Sequence, residues 1–337
     1  MMNTAFPFSR PLYVMAKPAG AQCNLHCAYC YYKEKDRLYA GNGGRMMDER
    51  LLEKFVKEYI EAQTTPYVLF TWHGGEPLLQ PRHFYERALM LQRHGVEWNG
   101  MAVVNHTNVQ HPQDFYRFFR RIGCHYLQFA PIVERIVTRS DGLTLAPGMQ
   151  TEGQLSPLSV SAEQWGEFLC GVFDEWVKRD VGEYFVQLFD ATLANWVGEA
   201  PGVCILSEEC GHVGVLEHNG DLYSCDHFVY PEYLLGNLHR HTITEMMLSA
   251  RQQKFARYKR LALPRQCKEC RYLFACHGEC PKNRFLNDRY GEFGLNYLCR
   301  GYHRFFEHAA PYMDRMARLL GEGKPPSWMM EEAGRQP

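Results

Sequence analysis

Eleven cysteines carry most of the chemistry that this sequence offers. Three stand in the run Cys23-Asn-Leu-His-Cys27-Ala-Tyr29-Cys30, with the spacing C-x3-C-x2-C. Three thiolates on a tight loop can hold three irons of a 4Fe–4S cube, leaving the fourth iron open to a small chelating molecule. A structural zinc ion would want a fourth protein ligand, for which His26 in the same run is the candidate. The other eight follow as Cys204-x5-Cys210-x14-Cys225 and Cys267-x2-Cys270-x5-Cys276-x3-Cys280-x18-Cys299. They make two sets of four, enough to ligate two cubes completely, and a fully ligated cube suits electron transfer or scaffolding. Because C-x2-C is also a common zinc half-site, zinc stays open as an alternative here. His212, His218, His227 and His277 lie nearby and read as supporting or surface residues, since the thiols already complete both sets.

The remaining two of the 13 cysteines, Cys124 and Cys170, stand in apolar stretches and read as buried thiols. Clusters rather than disulfides are the expectation for a reducing compartment. The N-terminal run lacks the apolar core of a signal peptide, and no run of 18 apolar residues exists, so a cytoplasmic protein without membrane spans is expected. Lys and Arg number 37 against 38 Asp and Glu, a balance that gives no general attraction to nucleic acid.

The elements that must position these thiols alternate. Residues 11–17 (PLYVMAK) read as a strand running into the first cysteine loop. Asp48 reads as the N-cap of a helix carrying Leu51, Leu52, Phe55, Val56, Tyr59 and Ile60 at helical spacing. The apolar run YVLFTW (67–72) reads as a strand covered on both faces, ending at the sharp turn His73-Gly74-Gly75-Glu76-Pro77. Helices at 82–94 and 112–122 alternate with strands near 99–104 and 125–133. Residues 138–160 read as an exposed loop, and a helix with Trp165, Phe168, Leu169, Val172, Phe173 and Trp176 follows. EYFVQLFD (183–190) reads as a strand ending at Asp190, a carboxylate that could simply cap the next helix, while Asp180 and Glu183 read as solvated. This alternation points to parallel β/α units, part of a barrel. Beyond about residue 200 the pattern changes: 213–225 reads as a hairpin with Asn219-Gly220 as a type I′ turn, and 302–320 as an amphipathic helix with a polar tail.

The cysteine loop, with Tyr29 before its last cysteine, resembles the signature of the radical S-adenosylmethionine (SAM) superfamily, and Gly74-Gly75-Glu76-Pro77 resembles that family's GGEP motif. The resemblance implies that Cys23, Cys27 and Cys30 hold a 4Fe–4S cluster. SAM would bind its open iron, Tyr29 would contact the adenine, and Gly74, Gly75 and Glu76 would receive the SAM amino group. The later cysteines resemble a SPASM domain. That likeness implies one auxiliary cluster on Cys204, Cys210, Cys225 and Cys280, and another on Cys267, Cys270, Cys276 and Cys299. The implied fold class is α/β: a partial, TIM-barrel-like barrel over 1–200, a SPASM domain over 201–301, and a C-terminal helix and tail over 302–337.

Longer runs, among them MAKPAG, TWHGGEP, FVQLFD, EHNGDLYSCDHFVYPEYLLGN, CPKNRF and GLNYLC, resemble the anaerobic sulfatase-maturating enzymes. That implies oxidation of a cysteine or serine of a sulfatase to Cα-formylglycine, with Asp190 in the place of a proposed catalytic base. It also implies two partners, an unfolded sulfatase segment and an electron donor such as flavodoxin or ferredoxin. The family pattern breaks near Gln92–Arg93, where two β/α units, on the order of 60–80 residues, are missing. A shortened barrel implies weaker SAM binding and impaired activity. The competing readings are a maturase of another ribosomal peptide and a non-catalytic iron–sulfur protein.

Overall fold

The computed structural model describes residues 12–23, 27, 30–39, 46–63, 68, 70–74, 99–121, 124–140, 144–146, 148, 152–211 and 213–333. In chain order the main elements are β1 (Tyr13–Lys17), α1 (Glu49–Glu61), β2 (Thr71–Trp72), β3 (Asn99–Val104), α2 (Pro112–Arg121), β4 (Tyr126–Pro131), β5 (Arg135–Ile136), β6 (Gln154–Leu155), α3 (Ala162–Arg179), β7 (Phe185–Val186) and α4 (Gln187–Trp196). There follow β8 (Val213–Glu217), β9 (Asp221–Tyr223), β10 (Leu234–Asn237), α5 (Ile243–Met247), α6 (Ala250–Leu261), α7 (Arg265–Lys268), α8 (Leu273–Cys276), β11 (Arg284–Asn287), β12 (Phe293–Asn296), α9 (Cys299–Gly321) and α10 (Trp328–Ala333). The expected helix at 82–94, and Tyr29, Gly75 and Glu76, lie outside the described residues.

Two compact units interleave along the chain. The first gathers 1–95, 137–147 and 209–261, and the second 96–136, 148–208 and 262–337. Chain order is therefore not the order of the units.

The first unit is built on a sheet of order β10-β9-β8-β1-β2, in which β1 runs parallel to both β2 and β8. Leu12, Val14 and Ala16 alternate along β1 and pack with Leu51, Leu52, Phe55 and Tyr59 of α1 and with Ile243, Met246 and Met247 of α5. On the opposite face Val215 and Tyr223 pack with Tyr32 and Ala21. Both faces are covered, as parallel strands require. Helix α1 starts where its cap predicts, with Asp48 accepting from the Leu51 N–H at 2.8 Å.

The second unit carries the parallel sheet β3-β4-β7. Its core is aromatic: Trp165, Phe168, Phe173 and Trp176 of α3 pack with Phe189 of α4 and with Tyr302, Phe305 and Phe306 of α9. A capping box between Ser161 and Gln164 starts α3. Where α3 and α9 cross, Gly166 and Gly301 let the two backbones touch, and a Cβ on Gly301 would lie 2.1 Å from the Ala162 carbonyl oxygen.

Four expectations are corrected. In EYFVQLFD only Phe185–Val186 is strand, and α4 begins at Gln187, because Leu188, Phe189, Ala191 and Thr192 are buried at helical spacing. Within 138–160 the chain is not simply an exposed loop: Gln154–Leu155 pairs antiparallel with Arg135–Ile136, and Val160 is fully buried. The β8–β9 hairpin exists, but its turn is not type I′, since Gly220 has a positive φ of 87° and Asn219 does not. The Gly220 N–H donates to the Glu217 carbonyl at 2.9 Å, giving a tight turn over His218 and Asn219 followed by a left-handed glycine. Asp180 is buried rather than solvated, accepting from the Tyr116 hydroxyl at 2.8 Å and pairing with Arg120 at 3.1 Å.

The helix crossing sets a test. Gly301→Ala is expected to destabilise by about 1–3 kcal/mol, because its methyl meets backbone that cannot yield without parting the helices. Gly321→Ala, where no atom lies within 4 Å, is expected to be neutral or slightly stabilising. Thermal midpoints measured side by side check both, and a Gly301→Ala midpoint equal to wild type contradicts the packing account.

Candidate functional site

Strand β1 delivers the chain into the first cysteine loop. At its end Gly20 turns at φ 53°, its N–H donating to the Lys17 carbonyl at 3.1 Å, and the Gln22 N–H donates to Ala19 at 3.1 Å. Cys23, Cys27 and Cys30 follow, all half-buried, and the Cys30 N–H closes a turn on the Cys27 carbonyl at 3.2 Å. Strand β2 brings the start of the glycine turn alongside: the His73 N–H donates to the Ala16 carbonyl at 2.8 Å. Gly74 sits at φ 114°, where a Cβ would lie 2.8 Å from the Gly20 carbonyl oxygen. A glycine is required there twice over, for its dihedral and for the close approach.

Behind this loop lies a buried polar group that sequence reasoning missed. Lys17, with no exposure, pairs with Asp226, lies 3.9 Å from Glu217, and stands 3.4 Å above the centre of the Tyr32 ring. The Tyr31 hydroxyl donates to Asp226 and the Tyr32 hydroxyl to Glu217. Burial pushes the Glu217 carboxyl up to about 7, against the opposing pull of Lys17. Burial would also raise Asp226, but Lys17, His73 and His227 together outweigh it and hold that carboxyl below the usual range. The group thus joins the residues right after Cys30 to the residue right after Cys225. The sequence did carry a signal: Lys17 is a lone charge at the end of an otherwise apolar strand. His218, next to Glu217, is buried and stacks edge-on against Tyr39 at 5.0 Å, so it is no surface residue.

The second unit holds a cavity of about 330 Å3 lined by Cys267, Cys270, Cys276 and Cys299. These are the four cysteines that the resemblance assigns to one auxiliary cluster, and they come from α7, the turn after it, α8 and the start of α9. Burial, reinforced by the neighbouring thiols, pushes Cys276 and Cys299 up to about 12; burial also raises Cys267 to about 11. Thiolates at such positions need a compensating cation, which iron supplies. Among the described residues no three His, Cys, Asp or Glu side chains converge as on a single metal ion.

Of the other assigned set, Cys204 and Cys280 belong to the second unit, and Cys210 and Cys225 to the first. Cys204 opens a short 3-10 turn, and Asn195 of α4 ties that turn to α8 by donating to the carbonyls of Leu206 (2.9 Å) and Ala275 (3.0 Å).

Asp190, in the second unit, occupies the first turn of α4. It makes no cap, the N-cap being Val186, and among the described residues it has no hydrogen-bond or ion-pair partner. Burial alone raises its carboxyl to about 7, despite the favourable helix N-terminus. An unpaired carboxyl poised near neutrality can accept a proton.

Residues 18–131 match the radical SAM superfamily, and residues 208–271 the SPASM iron–sulfur cluster-binding domain. A serine-type anaerobic sulfatase-maturating enzyme of Bacteroides thetaiotaomicron is 49% identical over 98% of this chain and 97% of its own length. The chain belongs to the anaerobic sulfatase-maturating enzyme family. It is therefore a radical SAM enzyme, and the matched domains imply 4Fe–4S clusters and SAM as its cofactors. A cysteine-type member from Clostridium perfringens is 23% identical over 92% of this chain and 99% of its own. The solved structure described as "Native anSMEcpe with bound AdoMet and Cp18Cys peptide" superposes with a TM-score of 0.74 at 21% identity, covering 92% of this chain and 99% of that one, a likeness of fold. The alignment with the Bacteroides enzyme runs over 400 residues; 98% of this 337-residue chain is about 330, so about 70 aligned positions have no counterpart here. Among the described residues no helix is long and apolar enough to cross a membrane.

The buried ion pair sets its own test. Lys17→Met leaves Asp226 charged among aromatic rings and is expected to destabilise by about 3 kcal/mol, while the paired change Lys17→Met with Asp226→Asn recovers much of the loss. Denaturant titration under anaerobic conditions measures both, and a Lys17→Met protein as stable as wild type contradicts the reading.

Proposed function

We propose that this enzyme oxidises a serine, and less readily a cysteine, of an unfolded sulfatase segment to Cα-formylglycine. The relation to the serine-type enzyme along nearly the whole chain carries this reading, and the cysteine-type members stand further off. In this proposal Cys23, Cys27 and Cys30 hold the catalytic cluster, with Tyr29, Gly74, Gly75 and Glu76 around SAM. The eight later cysteines hold the two auxiliary clusters, and an electron carrier such as flavodoxin or ferredoxin supplies electrons. When bound, the catalytic cluster and SAM supply a radical that removes a hydrogen atom from the substrate Cβ. Asp190 would take the proton that the side-chain hydroxyl or thiol loses, and the remaining electron would pass to an auxiliary cluster; a serine then gives the aldehyde directly, and a cysteine gives a thioaldehyde that water hydrolyses with release of hydrogen sulfide. The half-buried setting of Asp190 keeps bulk water from competing strongly for that proton, and among the described residues no cationic partner lowers its basicity.

Anaerobic reconstitution with dithionite and SAM, presenting Ser-x-Pro-x-Arg and Cys-x-Pro-x-Arg peptides, tests the function. Loss of two hydrogens from the serine peptide, together with deoxyadenosine release, is the expected result; deoxyadenosine without any peptide oxidation counts against it. Asp190→Asn is expected to lower peptide oxidation by about 10²–10⁴ while leaving deoxyadenosine release in place. Since the raised carboxyl is ionised only above about 7, turnover should climb through that pH in wild type and lose this dependence in the variant. The sign for stability is opposite: the folded chain holds this proton more tightly, so the stabilisation it brings is full below the unfolded value of 3.8 and fades as pH rises to about 7.

The shorter chain bears on affinity. We place the missing positions near Gln92–Arg93, outside the described residues, at about the length of two β/α units. Inserting the corresponding Bacteroides segment there is expected to lower the KM for SAM and raise turnover; a KM unmoved by the insertion argues that the segment is dispensable.

A further inference from the structure

We propose that Arg284 is a positioning residue for the auxiliary iron–sulfur centres, its buried guanidinium shaping the turn between Cys276 and Cys280 and setting a fixed positive charge beside their ligands. The proposal rests on the reading of the later cysteines as cluster ligands.

Only three residues separate Cys276 from Cys280, yet Cys276 lines the four-cysteine cavity and Cys280 is not among the residues lining it. The chain must therefore reverse direction at once. It does so through three successive left-handed residues, His277 at φ 48°, Gly278 at 73° and Glu279 at 54°. Left-handed backbone is unfavourable for side chains larger than glycine, and His277 and Glu279 need something to hold them there. The guanidinium of Arg284 is that hold. Its Nε donates to the Gly278 carbonyl at 2.7 Å, and its Nη2 donates to the carbonyls of His277 at 2.7 Å and Glu279 at 3.1 Å. Three oxygens turned to one side are met by one planar fork of donors, which a lysine ammonium cannot reproduce. Space is matched as closely: a Cβ on Gly278 would lie 2.5 Å from Arg284 Nη2.

The same residue governs the return of the chain. Arg284 opens β11 and stands opposite Asn296 of β12, the strand that leads to Cys299. Asn296 and Asn283 both donate to the carboxylate of Glu279, so the side chain of the turn is clamped from the hairpin as well. Arg284 itself is 2% exposed, and its guanidinium lies against the backbone carbonyls of the three residues that link Cys276 to Cys280. A guanidinium does not lose its proton in a protein, so this is a permanent charge. A fixed buried cation favours the more negative, reduced form of a nearby cluster and so raises its potential.

The test uses the full chain, anaerobically reconstituted, as wild type, Arg284→Gln and Arg284→Lys. It measures iron per chain and the midpoint potentials of the clusters by redox titration followed by electron paramagnetic resonance. Wild type is expected to hold about twelve irons. Arg284→Gln is expected to shift an auxiliary potential downward or to lose auxiliary iron, while the catalytic-cluster signal keeps its response to SAM. Arg284→Lys, which keeps the charge without the fork, is expected to hold the potential closer to wild type but to lose auxiliary iron faster to a chelator. Gly278→Ala, which strains the left-handed turn and crowds both Leu263 and the guanidinium, is expected to lose auxiliary iron in the same way and serves if Arg284→Gln does not fold. Wild-type iron retention and wild-type potentials in the variants overturn the proposal. A wild-type chain without iron overturns the ligand reading instead.

Discussion

The first unit depends on the parallel pairing of β1 with a strand about 200 residues further along the chain, in a register that sets Lys17 opposite Glu217. Once that register is made, the rest follows locally. The β1 end carries the turn at Gly20 and then the three cysteines of the first loop. The β8 end carries the hairpin whose far strand leads to Cys225. A single ammonium, flanked by two carboxylates and two tyrosine rings, sits between these two deliveries. Burying such a group is expensive unless every member is paired, so a slip of one residue would leave charges stranded as well as misplace the apolar face.

The second unit solves a related problem with different material. Three of its four cavity cysteines sit on short helices and a turn that bury little by themselves, and the fourth opens α9. They are held by an aromatic core of α3, α4 and α9, by the cross-ties of Asn195 and by the Arg284 turn. In both units a buried cation lies close to cysteine-bearing backbone.

Asp190 represents the opposite strategy. Among the described residues it has no side-chain partner, and burial alone acts on its carboxyl. A carboxyl treated this way loses stability as an anion and gains basicity.

Much of this was readable from residues alone. The spacing of the cysteines marks off a three-thiol loop and leaves eight further thiols, a count that suffices for two sets of four. The cap at Asp48 and the apolar periodicity of α1 and α3 are equally local. What the sequence could not settle is whatever depends on partners distant in the chain. FVQLFD reads as strand until burial of Leu188 and Phe189 against the α3 and α9 aromatics makes it mostly helix. Asp180 reads as solvated until Tyr116 and Arg120 close over it. The Lys17 group and the Arg284 turn are assembled from residues whose significance lies entirely in which backbone they meet. Local spacing decides which atoms are available to hold iron, whereas long-range packing decides which charges and carbonyls surround them, because desolvation and Coulomb interaction act through space and not along the chain.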